Sequence, residues 1–406
     1  MSPAPKRAFS RPRLRRLHDV MKSHIDGGYV PGVVTVLSRR GEVHVDALGA
    51  TAAGGRAPMR RDTLFRITSM TKPIAAVAAM ILVEECRLRL DEPVDRLLPE
   101  LADRRVLKAI DRPLEETVPA HRAITVRDLL TFRLGLGMIW GPPDVHPIQK
   151  AIGELGIVGF GPPDQSTPHD ADEWMRRLGT LPLMHQPGER WLYNTGSSIL
   201  GVLIARASGQ PFDAFLQERV FQPLGMRDTG FSVPRAKLAR LAPAYWPNAT
   251  TGALELHDGV ADSRWSRPPV FADGGAGLVS TADDYLAFGR MLLNKGRHGR
   301  ERILSRPSVE LMTTDHLTPN QKATSSFFPG QWDGRGWGFG MSVVTRRDDL
   351  AAVPGRFGWD GGYGTSWASD PAEDMVAILM TQRAVFPLLS PIYLDFWTSA
   401  YQAIDD

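Results

Sequence analysis

Leu14, Leu17, Val20, Met21 and Ile25 recur at the three- and four-residue spacing of one helix face. They predict a helix over Arg11 to Asp26, stopped by Gly27-Gly28. The period then shortens. Gly32 to Ser38 and Glu42 to Leu48 read as two strands joined by an Arg39-Arg40-Gly41 turn. From Thr71 to about Arg240 the pattern is mostly helical. Helices are predicted over Ile74–Arg87, Thr125–Leu130, Asp172–Leu178, Ser197–Ala207 and Pro211–Val220. Thr125 with Asp128 three residues on makes a near capping box. Pro142 to Pro168, rich in Gly and Pro, reads as a long surface loop. After Gly274-Gly275 comes a capped helix, Thr281–Leu293. Strand-like runs follow over Gly336–Thr345, Gly364–Ala368 and Met375–Thr381, and Pro391–Ala403 reads as a closing helix. Strands near both ends with helices between them predict an α/β fold. The expected division is a sheet domain from residues 1–70 and 241–406 and a mostly helical region over 71–240.

Composition narrows the class. In 406 residues, 43% are hydrophobic and 23% charged, which excludes a disordered or fibrous chain. Lys and Arg total 48 against 45 acids, and the basic residues are dispersed, so nothing points to nucleic acid. The one cysteine, Cys86, excludes an intrachain disulfide and a Cys-rich zinc site. It falls within the predicted helix after Thr71 and is expected to be a buried structural thiol. The Arg-rich start has no apolar segment behind it, and the longest apolar stretch, Ile74 to Val83, is too short to span a bilayer. A cytoplasmic protein with no membrane partner is expected. The ten histidines are scattered with no His-Glu-x-x-His, so no metal is expected, and His44 and His121 read as surface or packing residues.

Three segments carry candidate chemistry. Ser69-Met70-Thr71-Lys72 opens an apolar helix. Residues three apart share a helix face, so the Ser69 hydroxyl and the Lys72 amine can meet. A buried lysine loses charge and can take the serine proton, and the helix start offers free N–H groups to an oxyanion. The same four residues also suit an ordinary helix start. Tyr193, after a turn and before a helix, would relay a proton if cations lowered its pKa from about 10, or would be a buried aromatic with a satisfied hydroxyl. Gly358, Gly361, Gly362 and Gly364 would let a ligand approach a strand backbone, or would form a turn between strands. Trp140, Trp332, Trp337 and Trp359 lie in Gly-rich loops and are candidate walls of an apolar pocket.

Together these segments resemble the serine β-lactamase and penicillin-binding-protein superfamily, from roughly Ile25 to Ala384. Asp62 to Ile67, Leu90 to Val94, Ile124 to Thr131, Leu224 to Thr229 and Gly275 to Thr281 look like the class C β-lactamase branch. The resemblance implies an antiparallel sheet flanked by helices. It also implies a nucleophile at Ser69, its base partner at Lys72, a proton-relay tyrosine at Tyr193 and an oxyanion hole from the Ser69 and Gly362 N–H groups. It implies no metal or organic cofactor.

The departures bear on substrate. The Lys-Thr-Gly strand motif of that branch falls on Trp359-Asp360-Gly361, here expected to contact substrate. An indole cannot replace the lysine that would pair with a substrate carboxylate. Arg356 is a nearby cation that could fold in and restore the charge. A Trp-x-Gly motif is similar to that of the family VIII carboxylesterases. The expected function is therefore a serine hydrolase acting on neutral small-molecule esters through an acyl-enzyme. A β-lactamase or D-aminopeptidase-like amidase is the alternative, and a non-catalytic binding member of the fold comes third.

Overall fold

The structure is a computed structural model that describes residues 7–139, 145–157, 167–384 and 390–406. Its centre is a seven-stranded antiparallel sheet drawn from both ends of the chain. The strands are β1 (Gly32–Arg39), β2 (Glu42–Gly49), β3 (Arg335–Trp337), β4 (Ser342–Val344), β5 (Phe357–Gly361), β6 (Thr365–Asp370) and β7 (Met375–Met380). They lie in the order β3-β4-β5-β6-β7-β1-β2. Helices α1 (Arg11–Asp26), α2 (Thr71–Glu84), α3 (Val126–Leu130), α4 (Pro147–Glu154), α5 (Ala171–Gly179), α6 (Thr195–Ser208), α7 (Ala282–Leu293) and α8 (Pro391–Gln402) pack on or beside it, among shorter helical turns.

β7 is buried at every position. Such a run needs cover on both faces of the sheet. Successive strand residues point to opposite faces, and the two cores divide accordingly. Val33, Leu37, Ala377 and Leu379 pack with Leu17 and Met21 of α1 and Phe396 and Trp397 of α8. Val34, Val36, Val376 and Ile378 belong to the larger core with Ile74 of α2 and Phe288 of α7. That core continues without a break to Leu129 of α3 and Trp174 of α5.

The predicted elements need four corrections. The Pro142–Pro168 stretch, read as a loop, contains α4; Pro147 starts it, and Ile148 and Ile152 bury one face. Gly336–Thr345 is two strands, because Gly340 turns the chain at φ 69°. Phe357–Gly361, absent from the strands read by periodicity because its glycines mask the period, is a strand, as the resemblance implied for Trp359-Asp360-Gly361. Cys86 is exposed and outside α2, with φ 58°, in the left-handed position that ends a helix.

Candidate active site

The segment before Ser69 is held from several sides. Phe65 and Arg66 pair with Ser280 and Val279. The fully buried Arg66 guanidinium pairs with Asp258 and donates to the Ala242 carbonyl (2.6 Å) and to the Ser263 hydroxyl (3.1 Å). The chain then enters a tight turn, Thr68–Met70, that runs into α2. Tyr285 of α7 donates to the Met70 carbonyl at 2.8 Å. Ser69 is the one residue from Thr63 to Leu82 that keeps solvent access.

Lys72 lies one turn on and is fully buried. Its Nζ is 2.9 Å from Ser69 Oγ, 2.6 Å from the Gly275 carbonyl and 4.6 Å from the centre of the Tyr193 ring. Burial lowers its pKa to about 7, and the Asp273 carboxylate opposes that shift. Asp273 also accepts the Gly275 N–H at 2.8 Å, so it shapes the turn whose carbonyl faces Lys72.

Tyr193 arrives on an extended segment. Leu192 donates its N–H to the Phe132 carbonyl, and Met138 donates to the Tyr193 carbonyl. Asn194, with φ 85°, then turns the chain into α6. The Tyr193 hydroxyl is hydrogen-bonded to Ser69 and accepts the Trp359 indole N–H at 2.8 Å. Its pKa is raised, chiefly by burial, and the bonds to Ser69 and Trp359 only partly offset this. The condition of a cation lowering its pKa is not met, and Tyr193 stays protonated.

β5 brings the third segment in. β4 pairs with β5 only at Phe357 and Gly358, so Trp359 to Gly361 lie beyond its reach. A Cβ on Gly361 would sit 2.3 Å from the Ile67 carbonyl oxygen and 2.7 Å from Thr68 Oγ1, so only glycine permits this approach. The Gly362 N–H is at the site but not vacant: it donates to Thr68 Oγ1 at 2.6 Å. Asp360 is not brought in. Its carboxylate accepts from Ser366 at 2.6 Å and bonds Tyr393 of α8, on the opposite face from Trp359. Burial raises its pKa to about 6. Arg356 also lies on the α8 face, 3.7 Å above the Trp397 ring, and so does not supply the missing cation.

Trp337 and Trp359 meet edge to face at 4.6 Å, and Trp332 packs on Trp191 at 5.0 Å. Trp140 lies outside the described residues. The cavity beside Tyr193, of about 950 Å³, is walled in part by Met138, Ile139, Trp191 and Phe327 and in part by Lys108, His185, Glu189 and Arg190. Trp191 was missed by the sequence reading; its signal is its position two residues before Tyr193. Also missed were Thr68, Asp273 and the Arg66–Asp258 pair. Among the described residues no group of three His, Cys, Asp or Glu side chains is placed to hold a metal ion, and no helix is long and apolar enough to cross a membrane.

The chain is 41% identical over 366 residues to an uncharacterized protein of Mycobacterium tuberculosis, covering 88% of this chain and 87% of that one. It is 32% identical over 391 residues to esterase EstB of Burkholderia gladioli, covering 91% and 90%. Its fold matches EstCE1, described as a hydrolase with promiscuous acyltransferase activity, with a TM-score of 0.78, 27% identity and coverage of 96% and 98%. The family model described as Beta-lactamase matches residues 17–390, and the chain belongs to that family.

Proposed function

We propose that this chain is a serine ester hydrolase in which Ser69 is the nucleophile, Lys72 its base and Tyr193 the acid. The 2.9 Å approach of Ser69 Oγ to a buried Lys72 amine carries this assignment. An indole nitrogen can only donate. The Tyr193 oxygen is therefore the acceptor toward Trp359, which leaves the phenolic proton for Ser69. The serine proton then points at the neutral Lys72 amine. Ser69 Oγ adds to the ester carbonyl carbon as its proton passes to Lys72, and the carbonyl electrons move onto oxygen. Collapse breaks the bond to the alcohol, which takes the Tyr193 proton, and Lys72 reprotonates Tyr193. Water then adds to the acyl group as its proton passes to Lys72, and collapse breaks the bond to Ser69 Oγ, which takes that proton back and releases the acid.

Neutral esters fit the site best, since no cation stands where Trp359 does. A single cysteine leaves no disulfide to protect, which extends the proposal to a reducing, cytoplasmic setting. The similarity to EstCE1, described as a hydrolase with promiscuous acyltransferase activity, supports a second activity, transfer of the acyl group to an alcohol in place of water. The test is p-nitrophenyl butyrate hydrolysis with fluorophosphonate labelling. Ser69→Ala is expected to lose both while keeping the wild-type circular dichroism. Activity within a few-fold of wild type would remove Ser69 from the mechanism.

A further inference from the structure

Thr68 immediately precedes the nucleophile, is fully buried and has φ 42°. A β-branched residue seldom adopts this left-handed conformation. Strain of this kind persists where the surroundings over-determine it, and it clusters at functional sites. Here it turns the side chain toward the end of β5, where Oγ1 accepts the Gly362 N–H at 2.6 Å. Thr365 holds the same strand end from the other side, donating to the Ile67 carbonyl at 3.4 Å. The N–H best placed to receive an oxyanion thus already has an acceptor, supplied by the residue next to the nucleophile.

We infer that the Thr68 hydroxyl is a placeholder for the oxyanion, holding the Gly362 N–H in the free enzyme and yielding it to the charged oxygen of the tetrahedral intermediate. This rests on the proposal that Ser69 is acylated beside Gly362. A hydroxyl and a neutral ester carbonyl are acceptors of similar strength, so a bound substrate gains little by displacing Thr68. A full negative charge makes a hydrogen bond roughly twice as strong. The exchange therefore favours the transition state over the ground state, which is what lowers a barrier. In the free enzyme the same contact gives the half-buried Gly362 N–H a fixed partner.

Thr68→Val tests this, because it keeps the size and the β-branch and removes only the acceptor. In the free variant the Gly362 N–H loses its partner, so the melting temperature falls. A ligand with a negative oxygen then satisfies an orphan donor instead of displacing a hydroxyl, so it binds more tightly. The probe is phenylboronic acid. Ser69 Oγ bonds to boron, the serine O–H bond breaks as its proton passes to Lys72, and the boron becomes a tetrahedral anion that keeps all its original bonds. Adduct formation on the wild type, absent in Ser69→Ala, checks the underlying assignment separately. In Thr68→Val the dissociation constant should fall, by up to about tenfold, the upper worth of one half-buried donor regained. Thr68→Ser should restore the wild-type affinity and melting temperature. Equal or weaker binding by Thr68→Val, with the wild-type adduct intact, would mean that Thr68 only braces the turn, and the inference falls. Thr68→Ala, which also lacks the acceptor, gives the same readout should the valine variant not fold.

Discussion

The Lys72 ammonium is disfavoured because it sits in a closed space between Ser69, the Gly275 carbonyl and the Tyr193 ring. With its pKa near 7, the neutral amine that accepts the serine proton dominates above that pH. kcat/KM for a neutral ester should therefore rise with pH through about 7 and then level. Lys72→Arg should lose activity nearly as fully as Lys72→Ala, because a guanidinium stays protonated. Asp273 is the carboxylate whose charge opposes the lowering. Asp273→Asn keeps an acceptor for the Gly275 N–H and removes that charge, so the acid limb should move to lower pH. A limb that stays in place or moves upward would show that Asp273 does not act on Lys72. Ser69 and Lys72 were legible in the sequence because three-residue spacing on a helix fixes which side chains meet. Thr68 was not, since its role comes from a backbone angle. Arg66 and Asp258 were not, since only the folded chain brings residues 192 apart into contact.

At the scale of elements, β5 decides what the site can recognise. Neighbouring strand residues face opposite ways, so Trp359 joins Tyr193 while Asp360 joins Ser366 and Tyr393 under α8. Reading Trp359-Asp360-Gly361 as one motif hid this alternation, because glycines on either side left no apolar period to show the strand. α4 was hidden for a similar reason, inside a Gly- and Pro-rich surround. The cation lost at Trp359 would be worth roughly a ten- to hundred-fold preference for an anionic substrate. Arg356, stacked on Trp397, does not replace it. p-Nitrophenyl butyrate should accordingly be favoured over a chromogenic cephalosporin by at least about a hundred-fold in kcat/KM. Trp359→Lys should narrow that gap. Trp359→Phe should slow ester turnover without opening the site to the cephalosporin, because it removes the N–H donated to Tyr193 and adds no charge. A wild-type enzyme that cleaves both substrates equally would favour the amidase alternative.

For the whole molecule, the larger hydrophobic core sets how the chain unfolds. Val34 and Val36 of β1 share it with Ile74 of α2, Leu129 of α3 and Trp174 of α5. The sheet is itself closed from both chain ends, with Val34 opposite Met380. We propose the division into residues 1–70 with 241–406 and residues 71–240 as one of architecture, two regions around a common core. Neither region can then expose its side of that core without uncovering the other. Urea unfolding followed by far-ultraviolet circular dichroism, weighted to the helices, should coincide with unfolding followed by tryptophan fluorescence. The fluorescence reports the sheet through Trp359 and Trp367 and the helical region through Trp174. Residues 71–240 expressed alone should lack a cooperative transition, because α2 would lose the cover that Gly340 and the Arg306–Met312 helix give it. Two separated transitions in the full chain would make the regions independent folding units. Ser69, just before residue 71, and Lys72, just after it, would then be divided between two units, and the 2.9 Å contact between them would depend on docking rather than on a single core.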